Sequence, residues 1–594
     1  MASSPLVGSD GVLTVTVASN GESLTEGVAF LSITVRRALN KVPTATLVIS
    51  DVGMPTQPFP ISTSETFVPG AEVSIRAGYD SQETEIFKGI VIRHSLRIDG
   101  ENDARLTIEC VDQAIKMTVG LNSAHYENQK DSDVMSALIQ AADLTADVTA
   151  TAEAHESLVQ HYSTDWDFLM ARAEAVGYVV VVTGGTVKVG PPSTSGEAVL
   201  KVTYGVDLIE VQADLDARDQ YAKVTAQAWD MATQAVITGT DASPASLNAQ
   251  GNITQATLSQ VLNKGTITLQ TGAPLTKVAL TTWAKAQQLK SGLSRLSGRI
   301  KFQGNPLAGV DKLIELGGVG GRFDGMVHVS SLTHSIESGS WFTEVHFGMP
   351  IEWFTERANI EAPSASGLVP GIQGLHCGVV LKLDGDPLGQ ERIQVAVPSA
   401  GIERVWARLA QLHASNGFGT YFVPEIGDEV LLGWFNNHPD FPVVLGSLYS
   451  GRQKPPYILA AENNTKAVVT RSKCKLEFDD DKKVITLTTP GKNQVLLDDE
   501  AKSIVITDQS NNRIEMTASG ITLNSPKDIV IKATGSITLD AEGALTAKSV
   551  ADVKLEGLNV NCTAQVGFVG KGSATAELSA SGQTTVKGAM VMIN

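Results

Sequence analysis

Between Ile521 and Leu555 the apolar residues come in pairs two positions apart, Ile521/Leu523, Ile529/Ile531, Ile537/Leu539, Leu545/Ala547 and Val553/Leu555, each pair eight residues after the last. A spacing of two puts both members on one face of a strand. The remaining residues of each step are enough for a turn, and Gly520, Asp528, Gly535, Gly543 and Gly557 lie there. Looser steps of seven to ten residues carry the pattern back through Ile514/Met516, Ile504/Ile506, Val495/Leu497, Ile485/Leu487 and Leu476/Phe478. This is the signature of a strand-turn repeat. Each strand offers only two or three inward side chains, and after Asn464 the aromatics are Phe478 and Phe568 alone. One copy of such a segment cannot close a stable core, whereas several intertwined copies can. Stacked at about 4.8 Å, roughly sixteen octads make a shaft on the order of 75 Å long.

The remainder of the 594-residue chain is long enough for several more domains. Two stretches rich in Pro, Ser and Gly, 361–374 and 452–464, read as linkers. They delimit a large region over 1–360, a compact one over 375–451 and the repeat tail over 465–594. The large region alternates like strands, with a few helices. In Asp133–Ala142 the residues Val134, Ala137, Leu138 and Ala141 form one helical face. A second helix is expected over Asp165–Val176, capped by Ser163 or Thr164 and stopped by Gly177. Asp165 and Asp167 are candidates for an acid/base pair, but acidic residues in a first helical turn are commonly explained by the helix dipole. A weak repeat also lies here. Gly70, Val73, Ile75, Gly78, Phe87-Lys88-Gly89 and Ser95-Leu96 recur as Gly309, Leu313, Ile314, Gly317, Phe323-Asp324-Gly325 and Ser331-Leu332. Two copies of one barrel-like unit per chain would give six units in a trimer.

The compact region reads as five short strands in about 80 residues, which suggests a small closed barrel of the OB type. Such barrels often bind single-stranded nucleic acid through a basic groove. Here Lys382, Arg392, Arg404 and Arg408 face eight carboxylates, and the whole chain carries a net charge of −18, so a nucleic-acid partner is not expected. Cys110, Cys377, Cys474 and Cys562 are too dispersed for a disulfide framework or a metal cluster and read as buried, reduced thiols. The first residues show no secretory pattern, and no apolar run approaches about 18 residues. Synthesis in the cytoplasm and export by a machine are therefore expected.

The stretch Val405–Tyr449 resembles the OB-fold signature of the VgrG-family spikes of contractile injection systems. Trp406-Ala407-Arg408, then Pro424, Gly427, Asp428 and Glu429, then Pro442, Gly446, Leu448 and Tyr449 carry the likeness. Asp165-Trp166-Asp167-Phe168-Leu169 is similar to a motif of the family's tail-hub domain, and the octads match its trimeric β-helix. The resemblance implies a mainly β, multidomain fold: a tail hub, an OB barrel and an intertwined three-stranded needle. It also implies a homotrimer that joins a six-fold tail tube and baseplate to a three-fold spike, puncturing a target membrane and delivering cargo. The chain ends in Ala589, Met590, Val591, Met592, Ile593 and Asn594. An apolar end on an open set of strands calls for a cap. The resemblance names a PAAR-type tip protein as that partner, with these six residues as its binding site.

Catalytic motifs are not apparent, and no cofactor is expected. Gly317–Gly321 reads as a loop before a nucleotide cradle, Asp479-Asp480-Asp481 as a solvated turn before a cation site, and Asn416–Gly419 as a turn. Relatives with a lysozyme domain insert it between barrel and needle, where this chain has only a short linker. The expected function is a non-enzymatic spike of a type VI system, an extracellular injection particle or a phage-tail-like bacteriocin. The alternatives are a trimeric fibre or adhesin and a cell-wall hydrolase.

Overall fold

The computed structural model describes residues 2–6, 11–24, 27–51, 59–99, 104–263, 265–357, 360 and 362–593. The protein is mainly β, with few helices, and divides into two units, Met1–Leu448 and Tyr449–Asn594.

The first unit is organised by a large sheet. Its principal strands are β1 (Leu13–Ser19), β2 (Ala29–Ala38), β3 (Thr44–Ser50), β4 (Glu72–Tyr79), β5 (Gln82–Ile98), β6 (Ala104–Val111), β7 (Leu208–Leu215), β8 (Leu296–Gln303), β9 (Leu313–Gly317), β10 (Gly325–Glu337) and β11 (Ser340–Phe347). The order across the sheet is β7-β8-β11-β10-β2-β3-β6-β5-β4-β1, with β9 also pairing β10. Two equal motifs lie inside that order, β2-β3-β6-β5-β4 and β7-β8-β11-β10-β9. In each, the long fourth strand pairs first with the strand before it and then, past a bulge, with the strand after it. The alternation of these strands follows from their composition. Ala45, Leu47 and Ile49 of β3 point into one core with Leu106 and Ile108 of β6, and Ile300, Phe302, Val345 and Phe347 line the other.

The register shifts the repeat read from the sequence. Arg93 is the first residue past the bulge in β5 and faces Glu109, and Ser331 holds that place in β10, facing His346. Ser331 therefore matches Arg93 and not Ser95. A shift of two leaves every side chain on its face, so alternation alone cannot detect it.

The helices pack on small separate sheets: residues of the first two share a core with Val180, Val182, Val187 and Val189. Helix α1 (Asp131–Ala141) starts two residues before the expected segment, and α2 (Asp165–Ala175) follows the Thr164 cap, whose Oγ1 accepts from the Asp167 N–H at 3.0 Å. Gly177, at φ +73°, ends it in the left-handed region that favours glycine. A third helix, α3 (Lys277–Ser294), was not anticipated from the sequence; it packs on a small sheet through Leu280 and Ala284.

The barrel is closed by β12 (His376–Lys382), β13 (Ile393–Val397), β14 (Ile402–Leu409), β15 (Glu429–Trp434) and β16 (Pro442–Ser447) around Val380, Val395, Ala407, Val430, Leu432 and Val444. Of the four cysteines, Cys110 alone is buried, and burial pushes its thiol up to about 12. Cys377 and Cys562 are exposed and Cys474 half-buried, which corrects the expectation of four buried thiols.

In the second unit seven five-residue strands form an antiparallel meander, β17 (Thr465–Val469), β18 (Lys475–Asp479), β19 (Val484–Thr488), β20 (Gln494–Asp498), β21 (Ser503–Thr507), β22 (Arg513–Thr517) and β23 (Gly520–Asn524). Each strand pairs with its successor in the same chain, so up to Asn524 the sheet is formed within one chain and not by strands of several chains in alternation. Beyond Asn524 the described residues form no strand, and from 526 to 593 every one is exposed.

Candidate assembly surfaces

The meander has two unlike faces. On one, Leu476 and Phe478 stand opposite Leu487 and Ile485, which stand opposite Val495 and Leu497, then Ile506 and Ile504, then Ile514 and Met516, then Leu523 and Ile521. This is a ladder of cross-strand apolar pairs, the unit by which sheets gain packing energy. On the other face Lys475 pairs with Glu477 at 2.9 Å and Arg513 with Glu515 at 2.9 Å. Tyr457 also donates to Glu477, an arrangement that raises the tyrosine pKa and lowers that of the carboxylate. The apolar ladder has no second layer within its own chain: Phe478, Leu487, Leu497, Ile504, Ile506, Met516, Ile521 and Leu523 are exposed. After β23 the spacing of two recurs in the sequence at Ile529/Ile531, Ile537/Leu539 and Val553/Leu555, all exposed, and Met590, Val591, Met592 and Ile593 are exposed as well. Ala589 is exposed too, and Asn594 lies outside the described residues.

The barrel motif lies in strands and tight turns. Trp406, Ala407 and Arg408 lie on β14; Ala407 is in the core and the Arg408 guanidinium covers the Phe435 ring at 5.7 Å. Pro424 is buried, and Gly427 turns the chain at φ +91°, its N–H donating to the Val380 carbonyl at 2.8 Å. Asp428 closes that turn by accepting the Glu425 N–H at 2.8 Å, and the Glu429 carbonyl accepts the Leu448 N–H at 2.9 Å. Pro442 and Gly446 lie on β16, and Tyr449 begins the second unit. These residues set the turns and closure of the barrel. The loop they frame exposes Leu412, Phe418, Tyr421, Phe422 and Ile426, a concentration of apolar surface beyond what scattered exposure explains. A second loop is fixed by Asp386, whose carboxylate accepts from Arg392 at 2.6 Å and from the Leu388 and Gln390 N–H groups. The arginine holds that carboxyl below the ordinary carboxylate range.

Three of the carboxylates singled out for chemistry, Asp165, Asp479 and Asp480, have structural partners. Asp165 Oδ1 accepts from Asn122 Nδ2 and Gln160 Nε2, both at 2.9 Å, so it ties two strands to the start of α2. Asp479 accepts the Lys482 N–H at 3.1 Å across the turn of a hairpin, and Asp480 pairs with Lys466. Asp324 Oδ1 accepts the Val319 N–H at 2.8 Å and so folds the Gly317–Gly321 loop on itself. The tightest polar clusters of the first unit are buried ties that the sequence did not signal. Asp131 receives Arg172 Nε at 2.6 Å and sits 2.8 Å from His155 Nε2, and Glu174 pairs with Lys290, whose Nζ also donates to the Glu352 carbonyl at 2.7 Å. Among the described residues no group of three His, Cys, Asp or Glu is disposed to hold a metal ion, and no helix is long and apolar enough to cross a membrane.

Residues 9–338 match the family model of the Alg8 N-terminal domain, and residues 376–449 match that of the type VI secretion system/phage-baseplate injector OB domain. Two curated relatives are the type VI secretion system spike proteins VgrG4b and VgrG1c of Pseudomonas aeruginosa. The first is 32% identical over 131 residues, 21% of this chain and 15% of the relative; the second is 28% identical over 119 residues, 18% of this chain and 16% of the relative. The matches thus span about a sixth of the length of these relatives. Among solved structures, the 43 kDa tail protein of prophage MuSo2 from Shewanella oneidensis superposes with a TM-score of 0.44 at 11% identity, over 57% of this chain and 99% of that one.

Proposed function

The chain belongs to the family of the Alg8 N-terminal domain and carries the injector OB domain of type VI secretion and phage-baseplate proteins, and from that premise we propose that it is a homotrimeric, non-enzymatic central spike. The observation that carries this reading is the meander's apolar ladder, half-buried to exposed on every strand and followed by a fully exposed octad tail. A single-layer sheet with one apolar face must bury it. Three copies facing inward bury three such faces against one another, and beyond Asn524 the tails supply the missing strand partners by winding around each other. The intertwined part of the needle is then 525–594, below a prism of three meanders.

The hub of this trimer joins the six-fold tail tube and baseplate to the needle. The particle is assembled in the bacterial cytoplasm and, on contraction, drives the needle through a target membrane with a PAAR-type tip protein and cargo. A mechanical part needs no reacting groups, and the candidate carboxylates Asp165, Asp479 and Asp480 are occupied by hydrogen bonds that hold strands, helix and turn. Light scattering on the full chain is expected to give three times 62.7 kDa, and zymography no peptidoglycan clearing. A folded monomer, or clearing abolished by a single carboxylate substitution, overturns the proposal.

A further inference from the structure

The first unit holds a cavity of about 560 Å³ between the start of α1, the strand Ala154–Ser163, the last turn of α2 and the start of α3. That lies within the roughly 300–1,000 Å³ that small-molecule sites occupy. Its walls are mostly apolar, with Leu158 from the strand, Val176 after α2, Leu275 before α3, and Val278 and Trp283 on α3. Val278 is 55% exposed, so the cavity opens to water beside this helix.

Polar groups converge at one place in the lining, where Asp131, His155 and Arg172 meet. Asp131 Oδ1 accepts Arg172 Nε at 2.6 Å, its Oδ2 lies 2.8 Å from His155 Nε2, and Arg172 Nη2 lies 3.3 Å from the same ring nitrogen. Both oxygens of Asp131 are thus engaged. Glu153, the other carboxylate of the lining, accepts from Thr276, the N-cap of α3. A guanidinium carries five N–H donors, and among the described residues that of Arg172 has no further acceptor. The lining therefore combines unmet donors with acceptors that are already taken.

Charge narrows the ligand. His155 aside, two carboxylates stand against one guanidinium, a balance that repels an anion. A cation brings further donors to a site whose own donors lack acceptors. An uncharged molecule with an apolar body and a carbonyl or hydroxyl oxygen meets both conditions. We propose that this cavity binds an uncharged amphiphile, a medium-chain amide, ester or alcohol, whose oxygen accepts from Arg172 while its chain covers Leu158, Leu275 and Trp283. The site lies within the first unit, and the proposal does not rest on the trimer.

The test is isothermal titration of the full chain with octanamide, octanoate and octylammonium at neutral pH. Octanamide is expected to bind saturably at one site per chain, and the two charged probes about tenfold or more weakly, because each buries a charge that the lining does not pair. Ala279→Trp fills the cavity from α3 at a side chain that makes none of these ties, and is expected to abolish octanamide binding without moving the melting temperature. If that variant melts early, Val278→Trp at the neighbouring exposed position carries the same test. Leu497→Asp/Ile504→Asp, on the apolar ladder, is expected to leave binding unchanged. No saturable octanamide binding, binding retained in a folded cavity variant, a charged probe that binds as tightly, or loss in the ladder variant overturns the proposal.

Discussion

Placing charge on the meander's apolar ladder is expected to dissolve the assembly while leaving the chain folded. Leu497 and Ile504 face each other across β20 and β21 and are 37% and 40% exposed. Full burial of such a side chain is worth about 1.5–3 kcal/mol, so the two-fifths still open to water is worth about 1 kcal/mol each. Two positions in three copies make about 6 kcal/mol per trimer, roughly four orders of magnitude in the association constant. The variant Leu497→Asp/Ile504→Asp loses all of this and must also desolvate six carboxylates in the seam, so its loss is larger still. Sedimentation equilibrium should show the trimer dissociating at concentrations where the parent remains intact. Thr486→Asp, on the ion-paired face, should leave association unchanged. A double variant that remains trimeric with undiminished affinity would refute the assignment of this face to the interior.

Further outcomes are specific. Gly304→Ala is expected to destabilise the hub by about 1–3 kcal/mol in a thermal melt, because a Cβ there would lie 2.1 Å from the buried Trp341 ring. His334 is buried against Trp341, 2.9 Å from Thr343 Oγ1, and burial foremost, helped by the Arg37 charge, lowers its pKa from 6.5 to about 3. Its neutral form is the folded one, so its contribution is complete above pH 6.5 and is lost as pH falls from 6.5 toward 3; His334→Gln should flatten that part of the melting-temperature profile. Removing Ala589–Asn594 should leave the trimer intact and abolish co-purification with a PAAR-type tip protein; unchanged binding would mean that the apolar end serves trimer closure alone.

The barrel and the tail up to Asn524 were legible because both are written in local signals. A pair spacing of two with turn residues between the pairs marks the strands from Lys475 to Asn524, and the Gly427 turn and the β14 and β16 segments each carry their own signature. The choice of strand partner is not local. The octads beyond Asn524 and the looser steps before it share the same pair spacing of two, yet the latter pair within the chain. Their turns hold the distinguishing signal: Lys473, Lys483, Lys492, Lys502 and Asn511 take positive φ, as tight hairpins require. Helix α3 was illegible for a different reason. Its buried face includes Gln287, Gln288, Lys290 and Ser291 beside Leu280, Ala284 and Leu293, so the apolar periodicity that announces a helix is diluted by side chains satisfied only in the fold, such as Lys290 by Glu174.

The repeat shows where alternation stops being informative. In the first motif β2 and β3 are joined by a five-residue turn, 39–43, whereas in the second the equivalent strands β7 and β8 are separated by residues 216–295, which hold a small sheet and α3. An insertion of that size hides half of the second motif from any comparison of short patterns, so only the parts around β4–β5 and β9–β10 were visible as repeats. Alternation reports which face of a strand is buried; it carries no information on which backbone edge is paired. Val211 and Ile98 alternate with polar neighbours as core residues do, yet they are 41% and 54% exposed, and each lies on a strand whose outer edge pairs with no strand among the described residues.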